Sequence, residues 1–433
     1  MTGRIEPRLL KGFRDIDPTA MERRVYILNK IEKVFRLHSF APLFTPTLEY
    51  LDILKGKMGE EADKLLFSFT DIGGREVGLR YEFTISLARY VAMNPNIRFP
   101  FKRYQIGSVF RAEKPQKGRF REFTQCDFDI VGSSSPIADA EIISVMYDVL
   151  NELCISEFKI LMNDRRLLFS ILEKLGVMKD MLLKASRLLD KIDRVGKEGV
   201  IKLLEEHKLL NESIKKFIEM SEPTTAYRDV MEEFSKMIDI TKEVEEFTEL
   251  MMTVNQMTGN DKRIVYSPAL ARGLDYYTGP VFEVVVEGVG LGSIAGGGRY
   301  DNMIGIFSGR DIPATGSSFG LDRLEEVLEK KNLFPSELGR PYCLVTIFGD
   351  ETVKYSLDFY RQLHKEKIPA EIYLKPKNIG KQIGYADSRG FRYTVIIGPE
   401  EAGADKVKVK DMRTGEEKVL DKDGATEFLK EGL

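Results

Sequence analysis

Residues 122–131, EFTQCDFDIV, alternate in a way that few folds can absorb. Successive side chains of an extended strand point to opposite faces. Gln125, Asp127 and Asp129 therefore share one face, and Cys126, Phe128 and Ile130 share the other. The apolar face requires a core. The polar face requires partners, because a buried amide or carboxylate left without a hydrogen bond is costly. A second strand pattern, FKRYQIGSVFRAE, starts at Phe101 and is separated from the first by a charged, glycine-containing turn, which predicts a hairpin.

A polar ligand carrying an amine and an imidazole would satisfy the face of Gln125, Asp127 and Asp129; a solvent-facing strand surface is the alternative. Between Arg111 and Arg121 stand Arg111, Lys114, Lys117, Arg119 and Arg121 against a single acid, Glu113. Arginine suits phosphate because its planar fork donates two parallel hydrogen bonds. A solvated charged hairpin is the commoner reading of a basic loop by itself.

The rest of the chain supplies a frame. Residues 20–37 carry Met21, Val25, Leu28, Ile31 and Phe35 at helical spacing, which predicts an amphipathic helix. FAPLFTPTLEY follows, and its Pro42 and Pro46 predict an extended segment. Residues 165–256 are rich in Lys, Glu, Leu and Met with a 3.6-residue period and read as a helical insertion. Strand signals resume at VFEVVVEG, followed by a glycine-rich turn and a helix from about Gly320. Pro335, Gly339 and Pro341 mark a linker, beyond which strands mostly alternate with helices in a small α/β domain.

Two further clusters carry polar chemistry. LARGLDYYTG crowds Arg272, Asp275, Tyr276 and Tyr277 into a turn before an apolar strand; core tyrosines beside a surface arginine would look the same. Arg323 falls in the first turn of the helix after ATGSSFG. The glycines of GVGLGSIAGGGRYD open no helix, so they suit close backbone approach better than a dinucleotide loop.

Composition narrows the chemistry. The chain of 433 residues is long enough for two or three domains. Three cysteines (Cys126, Cys154, Cys343) and three histidines (His38, His207, His364) are scattered, which argues against a disulfide framework, a zinc cluster or a histidine triad. With 65 Lys and Arg against 68 Asp and Glu, any contact with nucleic acid must come from local charge. No apolar run approaches the roughly 20 residues of a membrane span, and the N-terminus lacks a secretory h-region. A cytoplasmic enzyme without membrane contact is the expectation.

In their order and spacing these segments resemble the class II aminoacyl-tRNA synthetases, and within them the histidyl-tRNA synthetases. FAPLFTPTLEY is similar to motif 1, with Pro46 as its proline; FRAE followed by REFTQCDFDIVG is similar to motif 2; ATGSSFGLDRL is similar to motif 3, with Arg323 as its arginine. LARGLDYYTG resembles the signature of the histidyl enzymes, and KGFRDIDP and AGGGRYD also resemble that family.

The resemblance implies roles. Glu82, Phe83 and Thr84, with Gln125, would meet the α-amino end of histidine. Asp129 and Tyr277 would hydrogen-bond the imidazole, and Tyr276 and Tyr300 would line its pocket. Arg111 and Arg272 would grip the ATP α-phosphate and the carboxylate, which with Gln125 makes them the catalytic candidates. Glu113, Arg119 and Arg323 would hold the rest of ATP, and Lys114, Gln116, Lys117 and Arg119 would contact the tRNA acceptor end. Magnesium is implied as cofactor, without assigned ligands. The sequence departs from the family's usual pattern at Tyr81 and Phe83, at Asp129 and at Asp322, where glycine-containing or glutamate versions are common.

The implied fold is α/β (α+β): an antiparallel-sheet catalytic domain over 1–330 interrupted by the helical insertion 165–256, then an α/β anticodon-binding domain over 340–433. The last holds 17 Lys and Arg against 16 Asp and Glu, so charge alone does not announce RNA there. The implied reaction attaches histidine to tRNA(His) through histidyl-adenylate, in a homodimer. The alternative is an inactive relative, the regulatory subunit of ATP phosphoribosyltransferase. The C-terminal segment and the intact signature from Arg272 to Tyr277 speak against it, and Arg111, Arg272 and Arg323 speak against an RNA-binding module without turnover.

Overall fold

A computed structural model describes residues 5–56, 65–114, 120–273, 276–375 and 378–433. The chain forms two compact units, Met1–Phe334 and Pro335–Leu433. No helix among the described residues is long and apolar enough to cross a membrane.

In the first unit β1 (Ala41–Pro42), β2 (Leu48–Tyr50), β3 (Ser68–Thr70) and β4 (Glu76–Leu79) precede a long hairpin of β5 (Phe101–Phe110) and β6 (Glu122–Val131). β7 (Phe158–Asp164) and β8 (Ile264–Tyr266) bracket the helical segment, and β9 (Pro280–Val286), β10 (Ala295–Arg299) and β11 (Ala314–Gly320) complete the unit. An eight-stranded sheet runs β1-β5-β6-β11-β10-β9-β7-β8, and a small one runs β2-β4-β3. Only the two edge pairings of the large sheet are parallel, β1 with β5 and β7 with β8. Pro42 sits on the edge strand, where a missing N–H costs no ladder bond.

The helix α1 (Pro18–Leu37) starts where Asp17 accepts the N–H of Ala20 at 3.0 Å and Pro18 takes the first position. Its buried stripe is Ile27, Ile31, Val34 and Phe35. Met21 and Val25, expected on that stripe, are exposed. Arg24 is buried instead, because it pairs with Asp322 and, at 2.9 Å, with Glu325 across the helix interface. Helices α2 (Thr84–Met93) and α3 (Pro136–Glu152) follow. Alternation in β6 does what the sequence requires: Cys126, Phe128 and Ile130 join the core under α1 and α3, with the Phe35 and Phe128 rings 4.9 Å apart.

Between β7 and β8 come six helices, α4 (Arg165–Lys174), α5 (Leu182–Leu189), α6 (Ile192–Glu206), α7 (Glu212–Glu219), α8 (Tyr227–Met237) and α9 (Thr241–Met257). Their apolar residues, among them Leu168, Leu189, Phe217 and Phe247, belong to the same core cluster as the sheet. The helix α10 (Leu321–Lys330) leaves directly from the end of β11.

The second unit carries β12 (Cys343–Val345), β13 (Ala370–Ile372), β14 (Tyr393–Ile396), β15 (Lys406–Asp411) and β16 (Glu417–Asp421) in the order β13-β12-β14-β15-β16. β12 is parallel to β13 and β14, and the rest is antiparallel. Val345, Phe359, Val395, Val407 and Leu429 anchor a core of its own.

Candidate active site

The face of the large sheet opposite α1 and α3 is laid out in rows by the strand register. One row reads Arg103, Asp129, Gly316, Gly298 across β5, β6, β11 and β10. The next reads Gln105, Asp127, Ser318, Gly296, Glu283, ending on β9. A third begins Gly107, Gln125, Gly320. Polar side chains on β6 thus face glycines on its far neighbours, which leaves depth for a ligand above the sheet. Glycines 296–298, read as part of a turn, form the strand β10. A Cβ at Gly298 would come within 2.8 Å of the Tyr277 ring, and one at Gly316 would strike the Asp129 carboxylate.

The first row is closed. Arg103 is fully buried and its guanidinium lies 2.7 Å from the Asp129 carboxylate, whose other oxygen accepts the Tyr300 hydroxyl. Burial raises the Asp129 carboxyl, and Arg103 and then Tyr300 oppose the rise. Asp129 thus accepts from Tyr300 with one oxygen, while the other lies against Arg103 without a hydrogen bond of its own. Asp127 accepts from Ser318, which in turn accepts from Gln125 at 3.0 Å. Burial pushes Asp127 up to about 7 against the pull of Arg103. The Gln125 amide oxygen is buried without a protein partner.

Glu82 and Thr84 stand at the start of α2. The Glu82 carboxylate accepts the Ile85 N–H at 3.3 Å, an N-terminal position that favours negative charge. Burial nonetheless pushes it up to about 7, with Arg111 opposing. Tyr276 and Tyr277 meet edge to face at 4.9 Å, and Tyr276 lies 5.3 Å from Tyr300. Tyr276 and Thr84 share a side-chain hydrogen bond. The Phe83 ring is wholly buried with the Arg80 guanidinium 4.7 Å from it, so it supports the loop and offers no face to a ligand.

Beside Gln125 opens a cavity of about 350 Å³ lined by Arg111, Glu113, Phe120, Phe123, Gln125, Ser293, Gly296, Ser318, Asp322 and Arg323, among others. Arg111 lies 5.0 Å over the Phe123 ring, and Arg323 donates to the Ser293 carbonyl. Asp322 pairs with Arg14 and Arg24, and the Arg14 guanidinium covers Phe120 at 3.6 Å. Arg272 lies outside this lining, its Nε 3.1 Å from Glu283 and 3.6 Å from Asp190. Lys114 is exposed. Gln116, Lys117 and Arg119 fall outside the described residues, as does Asp275. Among the described residues no three His, Cys, Asp or Glu side chains gather as a metal set.

Sequence reasoning missed Arg103, Glu283, Ser318 and Asp190. The first was within reach: alternation in FKRYQIG puts Arg103 and Gln105 on one face, as it does Asp127 and Asp129. The others depend on strand order and on a contact 82 positions apart (272 − 190), which no local pattern encodes.

The comparisons with known proteins agree along the whole chain. The family model described as histidyl-tRNA synthetase matches residues 12–324, and one described as anticodon binding domain matches residues 342–432. A histidine–tRNA ligase of Christiangramia forsetii is 37% identical over 98% of this chain and 99% of its own. One of Korarchaeum cryptofilum is 39% identical over 93% and 94%. The crystal structure of histidyl-tRNA synthetase from Nostoc sp. PCC 7120 superposes with a TM-score of 0.88 at 28% identity, covering 99% of this chain and 100% of that one. A Bacillus halodurans structure described as an ATP phosphoribosyltransferase regulatory subunit/histidyl-tRNA synthetase shares the fold at 22% identity and a TM-score of 0.73, over 88% of this chain and 97% of its own.

Proposed function

Because this chain belongs to the histidyl-tRNA synthetase family, we propose that its sheet face is where histidine and ATP are joined. The reaction is the ATP-dependent attachment of histidine to tRNA(His). The histidine carboxylate attacks the α-phosphorus, pyrophosphate leaves, and the 3′-terminal ribose hydroxyl of tRNA then takes the histidyl group from the adenylate. Two anions must approach in the first step, so fixed cations lower the barrier by position and charge. No protein nucleophile is needed.

One observation carries the placement. A polar row on β6 joins a tyrosine-walled end to a cavity bearing Arg111 and Arg323. ATP occupies that cavity, with Phe123 and Arg323 flanking its base and Arg111 facing the α-phosphate. Histidine lies over Gln125 and Asp127, its ammonium toward Glu82 and Thr84. Tyr276, Tyr277 and Tyr300 enclose the imidazole, and Arg103 and Tyr300 hold Asp129 in place beneath it. A side chain that leaves the polar groups of this pocket unpaired would be rejected on the order of 10⁴-fold.

Magnesium fits this site as a guest of the triphosphate, which is its habit where only one or two carboxylates are offered. Of the two acids lining the cavity, Asp322 is held by arginines, so Glu113 is the side chain that would meet the ion. The metal would supply charge neutralisation on the phosphates. Lys114, Gln116, Lys117 and Arg119 belong to the loop that meets the acceptor end of tRNA, and residues 340–433 read the anticodon. A homodimer forms through the segment after α1, where Phe44, Leu48 and Tyr50 are exposed.

Histidine-dependent exchange of pyrophosphate into ATP, run against the other nineteen amino acids, tests the reading. Exchange with histidine alone is expected. Folded protein that exchanges with none of them would transfer the assignment to a non-catalytic regulatory subunit.

A further inference from the structure

Arg272 does not stand alone at the edge of the site. Its Nε is the point of closest approach for two carboxylates from different parts of the chain, Glu283 at 3.1 Å and Asp190 at 3.6 Å. Glu283 belongs to β9, in the row that includes Gly296 of the cavity lining, and is almost wholly buried. Asp190 is the residue that ends α5, in the helical segment inserted between β7 and β8. It also accepts the backbone N–H of Ala271, so it holds both the side chain of Arg272 and the chain just before it. The arginine itself is 40% exposed in its side chain. A long side chain that exposed has many rotamers, and each restraint on it removes entropy that a reaction would otherwise have to remove.

We infer that Asp190 is a positioning residue for the first half-reaction: the insertion, through Asp190, aims Arg272 at the α-phosphate. With both carboxylates gathered at Nε, the paired Nη groups are the edge left for substrate oxygens, in the planar fork geometry that phosphate accepts. Glu283 fixes the base of the guanidinium from the sheet, and Asp190 fixes its rotation from the insertion. The insertion thus takes part in adenylate formation before any tRNA arrives. The inference rests on the placement of ATP and histidine proposed above.

The test is single-turnover formation of histidyl-adenylate by the full chain at stoichiometric enzyme, which reads slow variants as well as fast ones. Asp190→Asn keeps a neutral acceptor for Ala271 and removes the charge that orients Arg272. It is expected to slow the step about 10- to 100-fold at saturating ATP and histidine, the scale of a misplaced group. Asp190→Glu should recover most of the rate. In an Arg272→Ala background the Asp190→Asn change should cost less than about twofold, because the group it orients is gone. An unchanged rate for Asp190→Asn, or an equal loss in both backgrounds, overturns the inference. Should Asp190→Asn fold poorly by its melting curve, Asp190→Ser in the same two backgrounds decides on the same criterion. Histidine-dependent turnover by the unaltered chain keeps the proposed function separate: it stands or falls on that measurement, whatever Asp190 does.

Discussion

Glu82 and Asp127 are carboxylates that burial raises to about 7, so near neutral pH each is divided between its neutral and ionised forms. Only the ionised form attracts an ammonium group. Affinity for histidine should therefore rise with pH through 7, and KM for histidine should fall about three- to tenfold between pH 6 and pH 8. The slope should shrink in Asp127→Asn while KM for ATP keeps its own profile; an identical slope in the variant would remove Asp127 from the binding equilibrium. The stability sign runs the other way. A raised carboxyl contributes stability that is whole below its unfolded pKa of about 4 and is lost by about pH 7; because histidine meets the ionised form, added histidine should raise the melting temperature more at pH 8 than at pH 6. Gly316 offers a second test. A methyl there meets Asp129, which cannot yield because Arg103 and Tyr300 hold it. Gly316→Ala should cost about 1–3 kcal/mol in stability and raise KM for histidine about tenfold or more, with KM for ATP within about twofold; equal rises for both substrates would contradict the arrangement.

At the scale of elements, α1 and α10 are joined by charge as well as by apolar packing. Arg24 meets both Asp322 and Glu325, and Asp322 also lines the cavity proposed for ATP. Removing Arg24 leaves Glu325 without this partner while Asp322 keeps Arg14, a cost of about 1–3 kcal/mol. Arg24→Ala should lower the free energy of urea unfolding by about that much and weaken ATP with it, since Asp322 would then present more negative charge to the phosphates. A stable variant with unaltered KM for ATP would show that the two helices are held by their apolar contacts alone. The same contact explains why the apolar spacing of residues 20–37 misplaced the buried stripe. A periodicity counts hydrophobic residues, and here an arginine with two acidic partners takes a buried place while Met21 and Val25 face outward.

At the scale of the molecule, each unit has its own sheet and core. Removing residues 335–433 should leave the first unit folded. Pyrophosphate exchange should stay within about threefold, while aminoacylation of tRNA(His) falls 100-fold or more, on the order of the 3 kcal/mol that a lost macromolecular contact carries. Equal losses in both assays would mean that the second unit serves the chemistry and does not read tRNA.

The sequence by itself determined what local chemistry dictates. Alternation over 122–131 makes a strand with one polar face, proline and the Asp17 cap start α1, and the helical period sets apart the segment between β7 and β8. It also carried the residue order by which the family is known. Tertiary structure decided which of those groups are available. Asp129 was legible as a pocket candidate, but only the pairing of β5 with β6 sets the buried Arg103 against it. The glycines were legible as permissive, but only the order β6-β11-β10 makes them the floor of a site. Arg272 stood out in the sequence only as an arginine beside two tyrosines, and Glu283 and Asp190 reach it from a strand and a helix end remote in sequence. Local periodicity records which face of an element is wet or dry, whereas a charge finds its partner only when strand order and helix packing bring distant segments together.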